Sequence, residues 1–154
     1  MGYKVIESTY DTDGFSYVEI KTPKDWYCGC AQLHPDDKDI ESEFFGCSLA
    51  EGRAVKYYYM DKIREKKKEI KVLENLIKSL EQLKDYNKNC HEARFIRKTY
   101  YIKNKELKQL QTTVENIEKS MKNSINNFRT NREAFYKKVE ENKKKKEEKS
   151  TTKE

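Results

Sequence analysis

Glycine and proline are scarce, five and two in 154 residues. Barrels, sandwiches and phosphate-loop enzymes depend on tight turns and glycine-rich loops, so this composition argues against all three. Long apolar runs are missing as well. No stretch approaches the ~18 residues that a membrane helix needs. The opening MGYKVIESTY lacks the basic-then-apolar order of a signal peptide. Ile6 stands where a myristoylation signal takes Ser or Thr. The four cysteines read as reduced thiols of an intracellular chain. No paired acid/base set, glycine loop or nucleophile constellation is visible, which argues against an enzyme.

What the chain has is charge. Asp, Glu, Lys and Arg make up 39% against 35% for the apolar set, the mark of long exposed helices. Lys plus Arg is 33 against 27 acids, a formal charge of +6. It is unevenly spread. Residues 1–40 hold 4 basic and 8 acidic side chains, 41–87 hold 10 and 9, and 88–154 hold 19 and 10. An acidic head and a basic second half suit different partners at the two ends, or head-to-tail self-association. The end, 141–154, carries Lys143, Lys144, Lys145 and Lys146 and no apolar residue, so it reads as a basic disordered tail.

The pattern divides the chain into a 1–40 head, a 41–140 helical hairpin and that tail. Residues 3–9, 15–22 and 26–33 alternate like strands, with turn signals at Asp11-Thr12-Asp13-Gly14 and Pro23-Lys24-Asp25. They make a three-stranded antiparallel meander that needs a cover on its apolar face. Ser42, Asp37 or Asp39 can cap the following helix. Its first stretch, with Phe44, Phe45, Leu49, Ala50 and Ala54, should pack on the sheet. A heptad follows in Ile63, Ile70, Leu73, Ile77 and Leu80, with Lys66 at the missing position. Asn87-Lys88-Asn89 breaks the helix, and the turn falls near 87–91. The second helix carries Leu107, Leu110, Val114, Ile117, Met121, Phe128 and Phe135. Each helix is ~65–70 Å long at 1.5 Å per residue. A turn near Lys88 sets Leu73 by Lys105, Ile70 by Lys108 and Ile63 by Glu115, and brings Phe135 and Tyr136 back to the sheet. The fold class is therefore α+β: a small three-stranded antiparallel sheet followed by a long antiparallel, coiled-coil-like hairpin. One seam leaves Tyr57, Tyr58, Tyr59, Tyr100 and Tyr101 outside it, which predicts a dimer or higher oligomer.

Several side chains carry candidate chemistry. Cys28, Cys30, His34 and Cys47 are the right types for zinc, but one-residue gaps in a strand are not zinc-knuckle spacing, and buried structural thiols are the stronger reading. Cys90 beside His91 lacks a third orienting group. Asp36, Asp37, Asp39 and Glu41 lack the spacing and glycine of a calcium loop, and suit a helix N-terminus better. No cofactor and no resident metal is expected. Arginine interleaved with tyrosine is more suggestive. Arg53, Lys56, Tyr57 and Tyr58 form one stretch, and Arg94, Arg97, Lys98, Tyr100 and Tyr101 another. Such residues serve nucleotides, single strands and protein hot spots alike. The binding candidates are Arg53, Tyr57, Tyr58, Arg94, Arg97, Tyr100 and Tyr101, with Asp36 and Asp37.

The run Gly29-Cys30-Ala31-Gln32-Leu33-His34-Pro35-Asp36-Asp37, followed by Gly46, Leu49-Ala50 and Gly52-Arg53-Ala54, resembles a family of small proteins of bacteriophages and mobile elements of low-GC bacteria. The match covers about 15–75. That family carries no activity to transfer. The strand-strand-strand-helix order is also loosely similar to double-stranded-RNA-binding-like folds, from which the second helix and the acidic head depart. The resemblance implies a phage-encoded accessory protein in the bacterial host cytoplasm. The expected role is non-catalytic inhibition of a host defence component, either a CRISPR-type effector or an immune nucleotide signal, by occlusion or sequestration. The alternatives are nucleic-acid binding through the basic second helix and tail, and a structural coiled-coil oligomer. Within the motif, Gly29 and Ala31 should let the third strand approach the helix, and Arg53 should bond back to Asp36 or Asp37.

Overall fold

The computed structural model describes residues 2–34, 42–83 and 87–151. Three strands, β1 (Lys4–Tyr10), β2 (Phe15–Lys21) and β3 (Trp26–Gln32), precede two helices, α1 (Glu43–Glu81) and α2 (His91–Thr151). The strands form one antiparallel sheet in the order β1-β2-β3, as the alternation and turn signals predict.

Local chemistry explains each turn. Asp11 accepts from the backbone N–H of Asp13 and of Phe15 through Oδ1, at 3.0 and 2.8 Å, an Asx turn that reverses the chain. Gly14 completes it at φ 77°, a conformation that disfavours a Cβ. In the second reversal Thr22 Oγ1 donates to the Asp25 carbonyl and accepts from the Asp25 N–H. Register follows, with Val18 opposite Gly29 and Ile20 opposite Tyr27. A bulge between Val5 and Glu7 distorts the exposed edge strand β1, a common protection for such an edge.

The core is thin. Val18, Ile20 and Ala31 from the sheet meet Ala50, Ala54 and Tyr58 from α1. Ile20 and Val18 are the largest fully buried apolar side chains, each contributing roughly 1.5–3 kcal/mol by burial. The face α1 turns to the sheet is a four-residue stripe of small groups, Gly46, Ala50 and Ala54, ending in Tyr58. Small groups are required because the backbones nearly touch. A Cβ on Gly29 would sit 2.6 Å from Ala54 N and collide with the Ala50 carbonyl. A Cβ on Gly46 would strike Ser16 Oγ, itself buried without a hydrogen-bond partner. The expected role of Gly29 is therefore seen in the geometry. Phe44, expected in this packing, is instead 86% exposed, because it lies off the stripe. Phe45 packs elsewhere, ring to ring on Phe128 of α2.

Ser42 caps α1, accepting from Phe45 N at 3.2 Å, one of the three residues the sequence offers for the task. At its far end α1 stops at Glu81 rather than Asn87, closing with short bonds from Gln82 N and Leu83 N back to Ser79 and Leu80. Asn87 Oδ1 accepts from Asn89 N, and Cys90 Sγ accepts from Ala93 N as α2 begins. Cys90 is thus placed as a helix-start residue.

The helices pair antiparallel, but about one turn away from the register that a turn at Lys88 predicts. Lys66 reaches Glu106, Lys103 reaches Glu69, and Lys56 reaches Glu118. The physical reason is the early stop of α1, which moves the centre of the connection toward residue 86. The same shift brings α2 to the head at residues 125–129; the side chain of Phe135, expected there, lies outside the described residues. On α2 the inward positions run Met121, Ile125, Phe128 and Arg132, while Ser124 and Asn131 are exposed. The steps from Ile117 to Met121 and on to Ile125 are both four, a stutter that carries the inward face off Ser124 and Asn131. Helix α2 is helical to Thr151, whereas the sequence reading assigns 141–154 to a disordered tail. Lys and Glu are strong helix formers even without an apolar face.

Lys66 fills the heptad gap as a polar layer. Its Nζ lies 3.0 Å from Glu69 and 2.9 Å from Glu106, and Lys103 joins the same carboxylates. Burial disfavours the Lys66 charge, but Glu106 and Glu69 outweigh that cost and hold its pKa well above the usual lysine value.

The small-residue contact generates a prediction. Gly29→Val should lower unfolding free energy by at least about 3 kcal/mol, because backbone atoms on α1 cannot yield as side chains can. Urea denaturation followed by circular dichroism measures it. A loss below about 1 kcal/mol would show that the sheet does not rest on α1 at this point.

Candidate functional site

The two arginine-tyrosine stretches do not meet. Arg53, Tyr57 and Tyr58 lie on α1 beside the head, whereas Arg94, Arg97, Tyr100 and Tyr101 lie near the turn, roughly 30 Å along the hairpin at 1.5 Å per residue. Several of them already have structural work. Tyr58 is buried against the sheet, edge-on to Tyr27, with Lys62 over its ring. Tyr58 is therefore a core residue. Arg97 pairs with Glu81 at 2.7 Å, and Tyr100 donates to Glu74 at 3.0 Å, so both tie α2 to α1. Tyr57 and Tyr101 are exposed on the outside of the helices, and Arg94 is exposed too. Asp36, Asp37, Asp39 and Glu41 lie outside the described residues.

Arg53 is exposed and donates to the Cys30 carbonyl. That bond ties α1 to β3; the expected bond from Arg53 to Asp36 or Asp37 lies outside the described residues. A guanidinium has five donors and can serve more than one acceptor.

The cysteines are divided by the sheet. Tyr27, Gly29 and Ala31 turn toward α1, so Cys28 and Cys30 occupy the opposite face. Cys47 is on α1 under the first face, with Sγ 3.9 Å from the Thr9 carbonyl. Among the described residues no three His, Cys, Asp or Glu side chains are grouped to hold a metal ion.

The motif residues do converge, on a cavity of about 420 Å³. It opens where the sheet, the start of α1 and the 125–129 segment of α2 come together. Its apolar wall includes Leu33, Phe45, Leu49, Ile125 and Phe128. The rings of Phe45 and Phe128 are stacked at 4.3 Å and nearly parallel. Among its polar lining, Gln32 is committed to the Asp13 carbonyl and Ser42 to the α1 cap. Arg53, Arg129 and His34 supply its basic side chains. The size lies within the range of small-ligand sites, and the mix of apolar wall and few polar groups matches them. Sequence reasoning identifies Ala31, His34, Gly46, Leu49 and Arg53 as one motif but misses Ile125, Phe128 and Arg129. Only the true hairpin register would have placed those three beside the head.

Other titration shifts lie outside the cavity. Tyr3 donates to Glu51 at 2.7 Å, and that bond with partial burial pushes its pKa up to about 12. It fastens the start of β1 to α1. Glu92 at the α2 start is held below the usual carboxylate range by its own backbone N–H and by Cys90.

The Phe45–Phe128 stack joins α1 and α2 at the cavity and can be tested by a double-mutant cycle. Phe45→Ala and Phe128→Ala should couple by about 0.5–1.5 kcal/mol in urea unfolding. Strict additivity would mean that α2 does not dock beside the head. Among the described residues, no helix is long and apolar enough to cross a membrane. No protein-family model matches the chain, and no curated protein or solved structure matches it either.

Proposed function

We propose that the chain is a non-catalytic binding protein that sequesters a small anionic ligand bearing a planar ring. The carrying observation is the 420 Å³ cavity with its apolar wall and with Arg53, Arg129 and His34 in its lining. Guanidinium groups suit phosphate, and aromatic and aliphatic side chains suit a base. Within the phage-accessory reading of the motif, the ligand class that fits is an immune nucleotide signal of the host. Sequestration then needs only binding, with no acid, base or nucleophile.

Occlusion of a CRISPR-type effector by the acidic head has less support. Three of the head's eight acids, Asp36, Asp37 and Asp39, lie outside the described residues, and no grouping of its described carboxylates carries that reading. Nucleic-acid binding keeps one specific observation in its favour. α2 continues past the head to Thr151, and that extension holds the four-lysine run.

Calorimetric titration with linear and cyclic nucleotides separates these readings. Sequestration predicts saturable binding of at least one nucleotide, weakened tenfold or more by Arg53→Ala combined with Arg129→Ala. Absence of binding across the panel overturns it. Binding of generic DNA or RNA that falls steeply with salt and ignores both substitutions favours the basic extension instead.

A further inference from the structure

We infer that the turn-proximal part of the hairpin is a self-association surface whose occupant is a second copy of this chain. It is separate from the cavity and rests on different residues. Val72 and Leu76 of α1, Leu83 just past its end, and Phe95 and Ile102 of α2 are large apolar side chains, each between 43% and 66% exposed.

Helical phase and the ion pairs together put the four helical ones on one flank. Leu76 follows Glu69 by one heptad, and Val72 lies four residues before Leu76, so both share a face of α1. Phe95 and Ile102 are a heptad apart on α2, and Ile102 lies four residues before Glu106. Glu69 and Glu106 are both bound by Lys66 and by Lys103, at 2.9–3.8 Å. They therefore mark the same side of the hairpin. The opposite side is occupied by the Tyr100–Glu74 and Arg97–Glu81 contacts.

The area decides that this patch is more than scattered surface. The four helical side chains at these exposures present on the order of 400 Å², comparable to the largest patch of an ordinary monomer. Two copies facing each other cover on the order of 800 Å² through these residues alone. Their polar rims bring the total to the standard size of a stable interface. The patch spans both helices and repeats at heptad spacing, so the partner that reads it is itself a pair of helices. A second hairpin on a two-fold axis supplies that pair and turns two helices with one thin seam into four helices.

The head sets the orientation. Lys24 in its second turn lies 3.7 Å from Glu65, and Glu65 is one turn before Glu69. The sheet thus stands on the same flank as the patch, nearer the chain's N-terminal end. A second hairpin laid parallel on the patch would bring the two heads together on that flank, so the partner runs antiparallel, its turn toward the first copy's head and the two heads at opposite ends.

Sedimentation equilibrium on the full-length chain tests the inference. A mass of about twice 18.5 kDa at micromolar concentration is expected. Leu76→Glu combined with Phe95→Glu should raise the dissociation constant at least 100-fold with helical circular dichroism unchanged, since both side chains are exposed in the single chain. Tyr101→Glu, on an exposed position outside the patch, should leave the dimer intact. A monomer at 100 µM for the unaltered chain overturns the second-copy assignment and leaves the patch to a different partner. A dimer that survives Leu76→Glu and Phe95→Glu, or one that Tyr101→Glu breaks, also overturns it.

Discussion

The contact between Gly29 and the Ala50–Ala54 stretch of α1 is the constraint on which the rest depends. β3 lies so near the helix that no Cβ fits at Gly29. That closeness lets a sheet of three short strands cover its apolar face with one helix. It also sets where α1 begins relative to the sheet, and hence where Phe45, Leu49 and Arg53 stand. Arg53 then reaches the Cys30 carbonyl, and Tyr58 reaches Tyr27. Larger residues on the stripe would lift the helix and open the head.

The second constraint is the polar layer of Lys66, Glu69, Lys103 and Glu106. An apolar residue at 66 would complete the heptad but would also tolerate sliding by a turn, since Ile63, Ile70, Leu73 and Ile77 offer similar holes. A half-buried lysine shared between two carboxylates ties one layer of α1 to one layer of α2, the best-attested use of a polar group in such a seam. Its effect is felt far away. By fixing the register it delivers Ile125, Phe128 and Arg129 to the head, where they complete the cavity. Stability in one part of the hairpin and the shape of the cavity in another are therefore linked through helix register.

Much of this was legible from residues alone. Asp11 and Gly14 announce the first turn because an Asx turn and a positive φ need those residue types. Ser42 caps the helix, and the Ile70-Leu73-Ile77-Leu80 seam shows the pairing face. Register was not legible, because it depends on where α1 stops. Nothing in the Glu81-Gln82-Leu83 sequence marks that end as strongly as the asparagines at 87 and 89 do. Phe44 misleads for a related reason, since its spacing fits the sheet face loosely while the real stripe is made of small residues. The site was half legible. Ala31, His34, Gly46, Leu49 and Arg53 form one sequence motif, but the α2 side of the cavity follows from three-dimensional register. The tyrosines mislead because aromatic character does not distinguish Tyr58, buried under the sheet, from Tyr101, exposed at the opposite end.

What emerges is a scaffold in which a compact head and a long hairpin build a basic, aromatic-walled cavity where they meet. Recognition at that cavity is the central claim. Amide chemical-shift mapping of the full-length chain during titration with linear and cyclic nucleotides addresses it most directly. Binding in the cavity predicts shifts at Leu33, Leu49, Ile125 and Phe128, saturating together. Shifts confined to residues 137–149 of the basic extension, or an unchanged spectrum across the nucleotide panel, would contradict it.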